Sequence, residues 1–245
     1  DIVTFTGSAS TGKMLKQHPS IVEHSIRFNM EADSLNCCVL GPDAEPGTEE
    51  FGLFIKEVVR EMTAKAGQKC TAIRRTIVPA HLTDAVVEAL RERLKNTVIG
   101  DPAVEGVRMG PLASHAQVKS VKEQVASLLT CSELAYGQMD QLEVVGADSQ
   151  RGAFMSTMLL YCNEPFKHSA PHEIEAFGPV TTVMPYRNTD EAISLAKMGK
   201  GSLVGSVVTN DNSFACDMVL GAAALHGRMM ILNRHCAGES TGHGS

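Results

Sequence analysis

A chain of 245 residues can bury a substantial core, as one large α/β domain or as parts of two. A formal charge of −6, with no basic run longer than Arg74-Arg75, excludes an electrostatic nucleic-acid binder. Apolar residues make up 43% of the chain, but charges interrupt them too often for a membrane span, which predicts a soluble protein.

In chain order, short apolar runs alternate with helical patterns, as in α/β architecture. Asp1-Ile2-Val3-Thr4-Phe5 reads as a strand already in progress, with neither initiator Met nor targeting segment, and predicts a fragment of a longer protein. A helix opens near Ser8. Residues 25–30 alternate like a strand and deliver Glu31 at its carboxyl end. Residues 36–40 form another short strand, and 48–65 an amphipathic helix with Phe51, Phe54, Ile55, Val58, Val59 and Met62 at helical spacing. Then follow a strand at 76–78, a helix at 83–94 and a turn at Gly100-Asp101-Pro102. Ser114 and Gln117 form a capping box for a helix reaching Leu128. Strands are predicted at 154–161, 180–186, 203–208 and 229–232, and helices at 190–197 and 213–225, with Gly227 as a stop. The Gly- and Ser-rich stretch 237–245 reads as a mobile tail.

Three stretches carry chemistry. Gly7-Ser8-Ala9-Ser10-Thr11-Gly12-Lys13-Met14 spells G-x-x-x-x-G-K but places Met14 where a phosphate-binding P-loop needs a hydroxyl for Mg²⁺. It reads as a P-loop, as a plain strand-turn-helix junction, or as a helix capped by Ser8 whose backbone N–H groups face a phosphate. Of seven cysteines (Cys37, Cys38, Cys70, Cys131, Cys162, Cys216 and Cys236), none forms a C-x-x-C pair or zinc spacing, so most read as buried thiols in a cytosolic protein. Cys70 differs: it stands among small and polar neighbours, with Lys69, Arg74 and Arg75 close in sequence to favour a thiolate. Glu173-Ile174-Glu175-Ala176-Phe177-Gly178-Pro179-Val180 is an acidic turn entering a strand, and Glu31 is a lone carboxylate after one.

Together and in this order, these stretches resemble the aldehyde dehydrogenase superfamily. "FTGSASTG" is similar to its F-T-G-S-x-x-x-G cofactor loop, Glu31 to its general base, "GQKC" at 67–70 to its nucleophile segment and "EAFGPV" at 175–180 to its E-x-F-G-P motif. "GDP" at 100–102, "MGPL" at 109–112 and "ILN" at 231–233 fall in family order too. "FNMEADSLNCCVLGPDA" and "AGQKCTAIRRTIVP" are closest to the dehydrogenase half of the bifunctional ring-opening enzymes of phenylacetate catabolism.

The resemblance implies a three-layer α/β/α catalytic domain at 32–236, preceded at 1–31 by the last part of a Rossmann-like NAD(P)-binding domain and followed by the tail at 237–245. It implies Cys70 as nucleophile and Glu31 as base. Gly7, Ser8, Ala32, Glu175 and Phe177 would contact NADP or NAD. It implies an aldehyde substrate, as a CoA thioester, a downstream hot-dog hydratase-type domain, a homo-oligomer and a cytoplasmic setting, with no metal, nucleic acid or membrane partner. Most members of the family follow the glutamate with Leu-Gly-Gly-Lys; this chain has Ala32-Asp33-Ser34-Leu35. The family's oxyanion asparagine would lie upstream of Asp1, so the fragment is expected to be poorly active. An inert structural or oligomerising remnant and a P-loop nucleotide hydrolase are the alternatives.

Overall fold

The computed structural model of the protein describes residues 1–140, 142–236 and 242–244. The chain divides into two compact units, residues 1–34 and residues 35–245. The division falls three residues beyond the 31/32 boundary read from the sequence. The strand carrying Glu31 runs on through Ala32, and Asp33 still bonds back into the first unit.

The first unit is a strand-helix-strand crossover. β1 (Ile2–Gly7) and β2 (Arg27–Ala32) pair in parallel, with Thr6 opposite Glu31 and Gly7 opposite Ala32. Parallel strands cannot be joined by a tight turn, so the chain returns through α1 (Ala9–Lys16) and α2 (Pro19–Glu23). Gly12 is what lets α1 lie close to the strands. A Cβ there would sit 2.3 Å from the Met30 sulfur and 3.2 Å from the Phe5 ring. The second glycine of the opening motif is thus required by packing.

The second unit is a seven-stranded sheet in the order β5-β6-β7-β4-β3-β8-β9. Its strands are β3 (Cys37–Leu40), β4 (Arg75–Pro79), β5 (Glu133–Tyr136), β6 (Met158–Tyr161), β7 (Val180–Tyr186), β8 (Ser202–Val208) and β9 (His226–Leu232). All neighbours are parallel except β5 with β6. The central strands are covered on both faces, so they read as near-continuous apolar runs; all four residues of β3 are buried.

Helices α3 (Glu49–Thr63) and α4 (Thr83–Lys95) pack Phe54, Val58, Met62, Val86 and Leu90 into one core with Leu40, Val78 and Val183. Helices α6 (Thr189–Lys197) and α7 (Asn212–Ala222) form a second core, where Leu195, Phe214 and Met218 meet Ile77, Met184 and Val207. Each such buried side chain contributes about 1.5–3 kcal/mol of transfer free energy. The three-layer architecture expected from the sequence is therefore present. A third cluster lies beneath α5 (His115–Leu128), where Val121 and Val125 meet Met158 and Leu160.

Some elements differ from the sequence reading. Only Met158–Tyr161 of the stretch 154–161 pairs as a strand. The helix predicted to 225 is α-helical to Ala222 and continues as a 3-10 turn over Ala223–Leu225, while Gly227, expected as its stop, lies inside β9. Ser114 does accept from the Gln117 N–H at 3.2 Å, but the Gln117 side chain turns to Gln68 (3.4 Å) instead of completing the capping box. Of the predicted tail, 237–241 and 245 lie outside the described residues. His243 is buried, its Nδ1 2.7 Å from the Ser206 hydroxyl, so this part of the tail is seated. No helix among the described residues is long and apolar enough to cross a membrane.

Candidate active site

In the first unit, the parallel pairing sets the carboxyl ends of β1 and β2 side by side. Gly7 lies beside Ala32 and Thr6 beside Glu31, which puts the glycine turn and the candidate base at one edge, where ligands of α/β sheets bind. Glu31 is exposed, in the penultimate position of β2. Ser8 is the N-cap of α1: its hydroxyl oxygen accepts from the Thr11 N–H at 3.3 Å and donates to Thr11 Oγ1 at 2.9 Å. The first turn of α1 holds no acidic side chain and its last turn holds Lys13 and Lys16.

Asp33 changes the picture drawn from the sequence. It adopts φ +41°, in the left-handed region that a glycine enters at lower cost. Its Oδ1 accepts the Ala9 N–H at 3.0 Å. One amide at the helix start, expected to face a phosphate, is therefore already bonded to a carboxylate. The same bond offsets the backbone cost.

In the second unit, α3 stops at Thr63 and the chain turns sharply before the nucleophile segment. Lys65 (φ +52°), Ala66 (φ +52°) and Gly67 (φ +68°) are all left-handed in succession. Such a run is costly for Lys and Ala and persists only where neighbouring structure fixes it. For Gly67 there is no alternative residue, since a Cβ would lie 2.2 Å from the Gly178 carbonyl oxygen. The "GQKC" and "EAFGPV" loops thus touch backbone to backbone.

Cys70 stands exposed at the end of this turn; Cys37, Cys38 and Cys162 are buried as expected, but Cys216 is exposed too and Cys131 and Cys236 are half-buried, so most of the seven are not buried. Burial pushes the thiols of Cys37, Cys38 and Cys162 above the ordinary cysteine value, which leaves them unreactive. All seven cysteines are free thiols. Asn36, fully buried, fixes the nucleophile segment from below. Its Nδ2 donates to the carbonyls of Cys70 (2.8 Å) and Ala72 (3.0 Å), and its Oδ1 accepts from the Val204 N–H (2.9 Å).

The cations close to Cys70 in sequence face elsewhere. Lys69 is paired with both oxygens of buried Glu61, each at 2.9 Å. Arg75, fully buried, donates to the carbonyls of Leu35 (2.8 Å), Leu195 (2.6 Å) and Ala196 (3.0 Å), tying β4 to the last turn of α6. Arg74 donates from Nε to Glu175 Oε1 at 3.2 Å and to the Gly67 and Gly178 carbonyls at 2.8 Å each. Proximity along the chain was a poor guide here, because Lys69 and Arg74 pair with carboxylates and Arg75 is held by three backbone carbonyls. Burial draws the Arg74 guanidinium below its ordinary value, and the Glu175 carboxylate opposes that shift.

Sequence reasoning missed Gln68 and the role of Arg74 here, as it missed Asn36. Gln68 accepts the Ala113 N–H at 2.8 Å and donates to the Phe177 carbonyl at 3.2 Å, so one side chain links the "GQKC", "MGPL" and "EAFGPV" stretches. Arg74 joins the first and last of them. The signal was available in Ala72-Ile73-Arg74-Arg75-Thr76-Ile77-Val78, where two charges enter an apolar run and must each find partners. The weaker motifs also meet: Gly100 donates to the Met109 carbonyl at 3.0 Å, which sets "GDP" against "MGPL". Among the described residues, no group of three or more His, Cys, Asp or Glu is placed to hold a metal ion.

The three-layer sheet and the ordered loops define a class. The aldehyde dehydrogenase family profile matches residues 1–242, and the chain belongs to that family. It is 46% identical over 245 residues to 3,4-dehydroadipyl-CoA semialdehyde dehydrogenase from Aromatoleum evansii, a match over 100% of this chain and 48% of that protein. It is 45% identical over 139 residues to Protein MaoC from Klebsiella aerogenes, covering 56% of this chain and 39% of that one. The chain thus spans about half the length of the first of these, and less of the second. The crystal structure of betaine aldehyde dehydrogenase from Staphylococcus aureus in complex with NAD+ shares the fold, with a TM-score of 0.80 at 23% identity over 94% of this chain and 43% of that chain.

Proposed function

We propose that this protein oxidises an aldehyde to a carboxylic acid through a thioester on Cys70, with Glu31 as general base and NADP, or NAD, as the acceptor. The observation that carries the reading is the placement of Cys70: the one cysteine in the "GQKC" segment is exposed, and its loop is bound to the "EAFGPV" loop through Gln68 and Arg74. Membership of the aldehyde dehydrogenase family supports the reaction class.

The residues fit a nicotinamide dinucleotide in kind. Ser8 and the start of α1 offer hydrogen-bond donors and a positive dipole end without an acidic side chain in the first turn, although Asp33 takes the Ala9 amide. Gly7, Ser8 and Ala32 would lie along the phosphates. Glu175, a carboxylate fixed by Arg74, would accept hydroxyls of the nicotinamide ribose, with Phe177 packed near it. When bound, the cofactor supplies the hydride acceptor.

The rest is work for the protein's own groups. Cys70, as thiolate, attacks the aldehyde carbon, because a soft nucleophile converts it into a thiohemiacetal able to release hydride. The Cys70 backbone N–H is one donor to the developing oxyanion. Glu31 takes a proton from water as it attacks the resulting thioester, which frees the acid and regenerates the thiol.

A CoA-thioester semialdehyde of phenylacetate degradation is the proposed substrate, supported by the full-chain similarity to a dehydrogenase named for such a compound. The proposal includes a fused hot-dog hydratase-type domain, supported by the similarity to Protein MaoC, a homo-oligomeric assembly and a cytoplasmic setting. At the protein's natural length, Cys70→Ala is expected to abolish aldehyde oxidation while NADP still binds; retained turnover contradicts the nucleophile assignment. Glu31→Gln is expected to give a burst of reduced cofactor followed by arrest, and a normal steady rate rejects the base.

A further inference from the structure

The Arg74 guanidinium makes four hydrogen bonds close in sequence to Cys70. It is 5% exposed, and it reaches both loops that carry the proposed chemistry. From one plane it donates to the Glu175 carboxylate (3.2 Å), to the Gly178 carbonyl (2.8 Å) and to the carbonyls of Gly67 (2.8 Å) and Lys69 (3.4 Å). Its carbon lies 5.2 Å from the centroid of the Phe177 ring.

We propose that Arg74 is a positioning residue that makes one rigid unit of the nucleophile loop and the cofactor-binding carboxylate, so that Cys70 reactivity and cofactor affinity depend on it together. This rests on the reading of Cys70 as nucleophile and Glu175 as cofactor ligand. Two features of the geometry require such a residue. The left-handed run at Lys65, Ala66 and Gly67 needs an anchor at its far end, and Arg74 supplies it at Gly67 and Lys69. The Glu175 side chain is buried, so its carboxylate needs a fixed counter-charge, and Arg74 stands over the adjoining Phe177 as well.

Three carbonyls and a carboxylate converging on one point would repel one another without a cation between them. A lysine ammonium carries the charge but cannot span these acceptors, because only guanidinium presents its donors in a fixed planar fork. The charge-conserving substitution therefore tests position separately from charge.

The experiment uses R74K, E175Q and the double variant in the protein at its natural length, with NADP+ and iodoacetamide as probes. For R74K we expect NADP+ affinity to fall roughly tenfold, equivalent to one lost charge-assisted hydrogen bond. Alkylation of Cys70 without cofactor should slow as well. Effects of R74K and E175Q on NADP+ affinity should be strongly non-additive, the double variant binding about as well as the weaker single. Additive effects, or wild-type affinity and alkylation in a folded R74K, overturn the proposal.

If R74K does not fold, E175Q reads the same coupling from the other side: slowed Cys70 alkylation without cofactor supports it and a wild-type rate overturns it. Failure of the underlying reading looks different. NADP+ affinity unchanged in E175Q, or turnover retained in C70A, removes the site assignment itself whatever R74K does.

Discussion

Asn36 illustrates what holds the Cys70 segment without touching the cysteine sulfur. Two carbonyls of the nucleophile segment and one N–H of β8 converge on a single buried amide. Replacing it with Ala leaves these buried groups unpaired, at a cost of about 3 kcal/mol given the penalty for orphaned polar groups. The predicted outcome for Asn36→Ala is a clear drop in the urea midpoint together with slower alkylation of Cys70; an unchanged midpoint contradicts it. The sequence marked Cys70, Glu31 and Glu175 through motif order, but it concealed Asn36, Gln68 and Arg74. Their partners are backbone carbonyls and amides at distant positions, and no spacing rule reports which carbonyl a folded loop will present. The sequence did show two arginines entering an apolar strand, and the fold shows where each went.

At the scale of elements, helices were legible because their apolar faces and caps are local signals. α3 begins where Thr48 caps Phe51, and Phe54, Ile55, Val58 and Met62 are buried as the spacing predicts, whereas Phe51 and Val59 are half-buried and Glu50, Glu57 and Glu61 are buried beside the apolar face. Edge elements were harder to read. The short strand β5 lies at the sheet edge with exposed Glu133 and Leu134, so it lacks the apolar run that betrays a central strand.

One ion pair secures the start of α3 to the turn after β9. Buried Glu50 accepts from the Arg234 backbone N–H at 3.1 Å and from Nε at 2.9 Å, and pairs also with Nη2. These bonds hold its carboxyl at about 2, against an ordinary 4.5. A group with a lowered folded value adds stability above its unfolded value and loses it as pH falls toward the folded one. The contribution, about 2 kcal/mol after allowance for the half-exposed arginine, should therefore be present above pH 4.5 and fade between 4.5 and about 2. Glu50→Gln should lower stability at pH 7 and flatten its pH dependence across that window in urea titrations. An unflattened profile contradicts this assignment.

For the whole molecule, the three-layer sheet followed from the alternation of strands and helices, and the family from motifs that are individually weak but correctly ordered. Physical order explains why they work as a set. "GDP" lies against "MGPL", whose following residue Ala113 bonds Gln68 of "GQKC", and Gln68 bonds Phe177 of "EAFGPV". Stretches far apart in sequence are therefore neighbours in the fold.

In the proposed reaction, Cys70 carries the acyl group during aldehyde oxidation. Mass spectrometry of the Cys70 peptide tests it most directly, after Glu31→Gln protein of natural length is quenched during reaction with NADP+ and a semialdehyde CoA thioester. The predicted result is an acyl thioester on Cys70, formed in step with reduced cofactor. Reduced cofactor appearing with an unmodified Cys70, or with the acyl group on another residue, would contradict it.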